Sequence, residues 1–106
     1  MLAESEVRGL TPSAVASMTA TAAAERFSLA PKGRPATGYD ADLALVDLSF
    51  EGRLVGDDLL YRHLQSPFVG TVLRGRVVRT MLRGQTVIDD GKLIAERTSG
   101  RLVRPR

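Results

Sequence analysis

The chain has 106 residues, of which 43% are hydrophobic and 25% charged, which predicts one modest soluble globular domain. Its first six residues lack the basic and apolar regions of a secretory signal, and its apolar run over residues 43–46 is too short to cross a bilayer. Because cysteine is absent, disulfides, thiolate metal sites and a cysteine nucleophile are excluded, and we expect a cytoplasmic protein.

The net charge of +3 conceals an asymmetry between the two parts of the chain. Residues 1–73 carry six basic and nine acidic side chains, or −3, whereas residues 74–106 carry nine basic and three acidic ones, or +6. A basic tail can meet nucleic acid or an acidic partner surface. We favour a solvated strand face, because the basic residues alternate with apolar ones and no aromatic stacking platform accompanies them. The arginines concerned are Arg74, Arg76, Arg79 and Arg83.

The first third of the chain predicts helices. Residues 2–8 are expected to form a short helix that closes at Gly9. Thr11 is then predicted to be the N-cap of a second helix, and Pro12 its first helical residue. Apolar residues follow at helical spacing and are expected in a core; they are Val15, Met18 and Ala22.

The middle of the chain turns from helix to strand. Residues 31–35 contain two prolines and a glycine that end the helix. The apolar run at residues 43–46, bounded by acids, predicts a short strand that is buried on both faces and needs cover on each side. Residues 49–70 predict a loop, with one helical turn at residues 57–61.

Two hairpins are predicted near the C-terminal end. Residues 79–82 are expected to pair with residues 85–88 across Arg83 and Gly84. Residues 89–91 then form a turn into residues 92–94, since Asp-Gly and similar pairs supply the positive φ values of tight hairpins. The fold class is therefore α+β, with short helices followed by a small, mostly antiparallel sheet. The end, residues 98–106, is expected to be extended.

No group of residues predicts an active site, so the sequence assigns no catalytic, cofactor-binding or metal-binding residue. His63 is the only histidine, and general acid–base catalysis needs a positioned partner. Ser66 lies in the predicted loop, where no helix or strand would hold a histidine in place to activate it.

Acidic pairs occur at three places, and turn formation explains them better than metal binding does, because a hydrolytic zinc site uses several histidine or carboxylate ligands. Asp40 and Asp42 would face the same side of a strand. The other two pairs fall in predicted turns; they are Asp57 with Asp58, and Asp89 with Asp90.

The order of these elements resembles the end of the metal-dependent cyclic amidohydrolases. A helix ending in an apolar residue, a Lys-Gly turn and a Gly-x-Asp-Ala-Asp-Leu segment before an apolar strand are typical of the wider superfamily. A Ser-Pro-Phe-Val-Gly segment, two later Leu-Arg-Gly segments and a closing Gly-Arg pair are similar to the tail of allantoinases and dihydroorotases, and hydantoinases share this layout. The matching segments are residues 24–27, 31–33, 38–47, 66–70, 73–77, 82–87 and 100–103.

This resemblance implies a (β/α)₈ barrel with a small β-sandwich built from both chain ends, and a barrel-bound zinc pair whose hydroxide attacks a cyclic amide. Residues 1–30 would be the end of the barrel portion and residues 31–106 the C-terminal sandwich portion. The family's zinc ligands include a His-x-His motif, which this sequence lacks, and a barrel alone needs about 250 residues. We therefore expect the non-catalytic C-terminal portion of such an enzyme, allantoinase first and dihydroorotase second, inactive in isolation.

The implied partner is the missing barrel portion, and open strand edges favour self-association into a dimer or higher oligomer. Two alternatives remain. One is an autonomous assembly module that docks on a barrel-bearing partner chain. The other is a nucleic-acid-binding domain that uses the four arginines. No membrane association is expected.

Overall fold

The computed structural model describes residues 2–62, 65–95 and 100–105. Helix α1 spans Leu2–Val7, α2 spans Pro12–Ala16, and a π-helical turn at Ser17–Thr21 joins α2 to α3, Ala22–Arg26. Four strands follow: β1 at Leu43–Arg53, β2 at Val72–Leu82, β3 at Gln85–Asp89 and β4 at Lys92–Leu93. A 3₁₀ turn at Gly56–Asp58 lies between β1 and β2. The α+β fold class is thus confirmed.

The start of the second helix is confirmed, but the predicted apolar stripe is only partly right. The side chain of Thr11 accepts a hydrogen bond from the amide of Ala14 at 3.2 Å. Val15 is buried, whereas Met18 is 57% exposed and Ala22 is also exposed. The π-helical turn inserts extra residues into the helical repeat and rotates the later positions. Ala24, which Gly33 approaches closely, is the buried alanine of this segment instead of Ala22.

The four strands form one antiparallel sheet in the order β1-β2-β3-β4. Leu82 pairs with Gln85 across Arg83 and Gly84, and both turn residues have positive φ, at 48° and 80°. The next turn, at Asp90 and Gly91, has φ values of 44° and 77°. Two positive φ values define the type I′ hairpin turn, which matches the right-handed twist of paired strands. Both predicted hairpins are confirmed.

Strand β1 differs from its prediction in length and in burial. It continues to Arg53 because its pairing with β2 resumes at Glu51 after a bulge, so residues 49–53, expected in a loop, belong to the sheet. The prediction that residues 43–46 are buried on both faces is wrong for this chain, since Leu45 is 43% exposed. The described part of the chain supplies no second layer to cover both faces of β1.

The packed interior is small. Among the residues whose burial the structure describes, which begin at Glu4, Val15 and Ala24 are the only buried hydrophobic ones. The accessible surface is 8672 Å², whereas a compact monomer of 11.4 kDa exposes about 5,800 Å². Much apolar surface of this chain therefore remains open. No described helix is long and apolar enough to span a membrane. The division into residues 1–30 and 31–106 stays a prediction.

Candidate functional site

A lysine and two carboxylates form a cluster between the helices and the sheet, which we call the clip: Lys32, Asp40 and Asp42. The ammonium group of Lys32 lies 2.7 Å from Asp40 Oδ2 and also contacts Asp42 Oδ2. The lysine side chain is only 18% exposed, and the two carboxylates are about 30% exposed. The cluster is therefore partly shielded from water, where ion pairs are stronger than on an open surface.

The clip also holds the turn between β2 and β3. Asp42 Oδ1 accepts a hydrogen bond from the Arg83 amide at 2.8 Å, while its other oxygen contacts Lys32. One residue earlier, the carbonyl of Ala41 accepts the Gly84 amide at 2.9 Å. Both amides of this hairpin turn thus bond to residues 41–42, which fixes the turn against the start of β1.

On the other side, the residue after the clip lysine packs on the helices. The Thr21 hydroxyl donates to the carbonyl of Gly33 at 2.7 Å. Gly33 has a φ of 95°, and a Cβ added there would lie 2.6 Å from Ala24 Cβ and 3.1 Å from the carbonyl oxygen of Ala20. This approach is too close for any residue but glycine. Lys32 therefore contacts the carboxylates that precede β1, and the next residue, Gly33, packs on the helices.

The electrostatics of the clip favour permanent charges. The hydrogen bonds that the Lys32 ammonium donates to Asp40 and then to Asp42 raise the pKa of this lysine above its ordinary 10.5. The hydrogen bond from Lys32, aided by the Arg83 amide, lowers the pKa of Asp42 below 3.8. Both shifts move away from neutrality, whereas a general acid or base needs a pKa near the working pH. The clip can hold position, and it is poorly suited to proton transfer.

The predicted acidic pairs do not converge on a metal site. Within residues 2–62, 65–95 and 100–105, no three histidine, cysteine, aspartate or glutamate side chains come together as metal ligands. A zinc pair, which the family resemblance implies, does not fit the described residues, since such ions need several ligands each. Asp57 and Asp58 lie in the 3₁₀ turn, Asp89 pairs with Arg79 at 2.9 Å, and Asp90 pairs with Arg76 at 3.0 Å.

The two isolated candidates have simple outcomes. The Ser66 hydroxyl accepts a hydrogen bond from the Phe68 amide at 3.2 Å, which is a turn contact. His63 lies outside the described residues. Sequence analysis does not predict the ion pairs of Lys32, although it includes both the Lys-Gly turn and the Asp-Ala-Asp segment. A lysine eight and ten residues before two aspartates is the sequence signal that could have indicated these pairs.

Three of the four arginines considered for nucleic-acid binding pair with carboxylates of the same chain. Arg74 lies 3.2 Å from Glu6 and 3.3 Å from Glu51. Arg76, besides its pairing with Asp90, lies over the ring of Phe50 at 4.9 Å. The sheet thus carries arginines with intramolecular partners rather than a row of cations dedicated to phosphates.

Comparison with known proteins identifies the family of this α+β chain. The model of the amidohydrolase family matches residues 1–87. This chain belongs to the amidohydrolase family. It is 50% identical over 99 residues to an allantoinase of Rubrobacter xylanophilus, covering 93% of this chain and 22% of that relative. An allantoinase of Desulfitobacterium hafniense is 46% identical over 91 residues, or 86% of this chain and 20% of that relative.

Solved structures agree with the sequence comparison. The L-hydantoinase (dihydropyrimidinase) of Arthrobacter aurescens superposes with a TM-score of 0.89 at 30% identity, over 98% of this chain and 24% of that one. A D-hydantoinase (dihydropyrimidinase) from a Thermus species superposes with a TM-score of 0.85 at 27% identity, again over 98% and 24%. The chain thus spans about a fifth to a quarter of the length of these proteins.

Proposed function

We propose that this chain is the C-terminal, non-catalytic portion of a zinc-dependent enzyme that hydrolyses the C–N bond of a cyclic amide. Allantoinase is the first candidate and dihydroorotase the second. The observation that carries the proposal is the 50% identity to an allantoinase over 93% of this chain, which amounts to only 22% of that relative. The absence of a metal-ligand cluster among the described residues supports the non-catalytic role.

The zinc pair of the whole enzyme would be held by residues outside this sequence. Its chemistry there would be to activate a water and to polarise the amide carbonyl. The residues described here fit neither task, because the clip carboxylates are already paired with Lys32 and with the Arg83 amide. The contribution of this chain would be structural: a sheet and a helical segment that complete the enzyme.

The open faces of the sheet support such a role. Leu45, Val77 and Leu93 are 43%, 46% and 65% exposed, and β1 is an edge strand whose outer side has no partner among the described strands. Strands from the rest of the enzyme would cover this surface and form the β-sandwich. Without them, the open edge favours pairing between copies of the chain.

Reconstitution tests the proposal. The purified chain would be assayed for allantoin, dihydroorotate and hydantoin hydrolysis, alone and mixed with the Rubrobacter xylanophilus allantoinase from which the 99 matched residues have been removed. We expect no turnover by the chain alone and allantoin turnover in the mixture. Robust hydrolysis by the isolated chain would contradict the proposal. Restoration of a dihydroorotase barrel that lacks its own C-terminal portion, without restoration of the allantoinase barrel, would favour the second candidate.

The second candidate function is an autonomous assembly module that docks on a separate barrel-bearing chain. The large exposed apolar surface favours docking in either case. The mass of the native polypeptide separates the two, by immunoblot and intact-mass spectrometry of source cells. A species several times larger than 11.4 kDa indicates one continuous enzyme, whereas a species of this size indicates a module with a separate partner.

A further inference from the structure

We propose that Lys32 is a positioning residue that fixes the orientation of α3 relative to the β2–β3 hairpin. The inference concerns this chain itself; only its consequence for a whole enzyme, where α3 would lead back to the barrel, rests on the proposed function. Lys32 touches no substrate in this scheme. It acts through Asp40 and Asp42, which it draws together.

The first argument is the lack of direct packing between α3 and the sheet. Among the described helices and strands, α3 packs only on the π-helical turn that precedes it, and α1 is the helix that packs on β2. The orientation of α3 is therefore set at a distance, by α1 at one end and by the loop after α3 at the other. That loop contains the clip.

The second argument is the position of Lys32 beside Gly33. Gly33 is held to the helices by the Thr21 hydroxyl and by its close approach to Ala24. Lys32 is held to the sheet side by two carboxylates, of which Asp42 also fixes the Arg83 amide. The helix contact and the sheet contact therefore lie on consecutive residues, and the preceding carbonyl, of Pro31, also accepts the Asp40 amide at 3.0 Å.

The third argument is the state of the carboxylates without the lysine. Asp40 and Asp42 would then be two like charges, each about 30% exposed, with their shared cation removed. Asp42 would keep the Arg83 amide, so the hairpin turn would stay bonded. Repulsion would act mainly between Asp40 and Asp42. The loop at residues 31–33 would keep the hydrogen bond from the Asp40 amide to the Pro31 carbonyl at 3.0 Å, but it would lose its side-chain connection to Asp42 and so to the hairpin turn.

The test measures an orientation rather than stability. Because the chain has no cysteine, spin labels can be attached at Ala22→Cys on α3 and Gln85→Cys on β3, both exposed positions. Double electron–electron resonance gives the distance distribution between them. We expect one narrow distribution in the parent pair and a broad one after Lys32→Met, with circular dichroism unchanged. Lys32→Arg, which keeps the charge, should restore a single narrow distribution.

The matched control is Arg8→Met. This change removes an ion pair of 3.6 Å between Arg8 and Glu4, whose arginine side chain is 72% exposed, and it should leave the distance distribution unchanged. A broad distribution in the parent, or a narrow and unshifted one after Lys32→Met, would overturn the proposal. If Lys32→Met loses its circular dichroism, Asp40→Ala decides instead. This variant removes one of the two carboxylates that contact Lys32, so it should broaden the distribution partly, and an unchanged distribution would again overturn the proposal. Failed reconstitution with a barrel portion would leave this result standing, so the two proposals fail separately.

Discussion

Lys32 and Asp42 are ten residues apart in the sequence, and their side chains meet so that one carboxylate serves two parts of the fold. Asp42 Oδ2 contacts the lysine ammonium, and Asp42 Oδ1 accepts the Arg83 amide at 2.8 Å. A second oxygen acceptor, Asp40, lies 2.7 Å from the same ammonium. An ion pair with this low exposure and an added backbone hydrogen bond is expected to stabilise the fold more than an open surface pair.

The clip predicts a particular pH dependence of stability. The pKa of Asp42 is lowered in the folded chain, so its contribution is present above the ordinary value of 3.8 and is lost as the pH falls through the folded pKa. The pKa of Lys32 is raised, so its contribution is present below 10.5 and is lost as the pH rises through the folded pKa. The contribution should be constant from about pH 5 to about pH 9.

Lys32→Met tests this dependence. We expect the free energy of unfolding to fall by about 1–3 kcal/mol at neutral pH, because the change leaves two partly buried carboxylates without their cation. The difference from the parent should shrink at both pH extremes. Urea denaturation followed by circular dichroism across the pH range measures it. A difference that persists unchanged down to the lowest pH at which the chain stays folded would show that lost packing rather than lost charge is the cause.

Gly33→Ala should destabilise the chain far more than Gly38→Ala. A Cβ at Gly33 would lie 2.6 Å from Ala24 Cβ, and the φ of 95° is also unfavourable for alanine. The two effects together cost about 2–4 kcal/mol. Gly38 has a similar φ of 85° with nothing within 4 Å of an added Cβ, so it should cost only about 1–2 kcal/mol. Equal losses in thermal denaturation would refute the close approach of Gly33 to the helix.

The hairpins and the helix cap could be predicted from the sequence because their causes are local. The turn at Arg83 and Gly84 needs positive φ, and glycine supplies it next to two runs of strand residues. Thr11 followed by Pro12 is a local signal for a helix start, and it is confirmed. Each feature depends on residues within a few positions of one another, where side-chain chemistry restricts the backbone directly.

The features that sequence analysis missed depend on an irregular helical turn or on distant contacts. Met18 is exposed and lies within the π-helical turn, for which the sequence holds no distinct signal. The length of β1 follows from pairing with β2 beyond a bulge at Asp47–Glu51. The role of Lys32 depends on which acids the chain brings to it. The family motif located the clip residues, but their mutual contacts required three-dimensional structure.

Val15→Ala should lower the stability of the helical segment. Val15 is 5% exposed, and the loss of its two methyl groups removes buried apolar surface and leaves a small cavity, at a cost of about 1–2 kcal/mol. Met18→Ala is the matched control, because Met18 lies in the same helical stretch and is 57% exposed, and it should change stability by less than about 0.5 kcal/mol. Thermal denaturation followed at a helix-sensitive wavelength checks both. A larger loss for Met18→Ala would indicate that a second copy of the chain covers this side of the helix.

Self-association should depend on the edge strand. Leu45 lies in β1 and is 43% exposed, and a lysine placed in an edge strand opposes strand pairing between molecules. We therefore expect the chain to sediment as a dimer or larger species and Leu45→Lys to shift it towards the monomer, by at least tenfold in the dissociation constant. Leu102→Lys adds the same charge at a residue that is 83% exposed and outside the sheet, and it should change the dissociation constant much less. Sedimentation velocity over a range of concentrations measures both variants. A parent chain that stays monomeric at high concentration would refute the association, and equal effects of the two lysines would attribute it to net charge instead of the β1 edge.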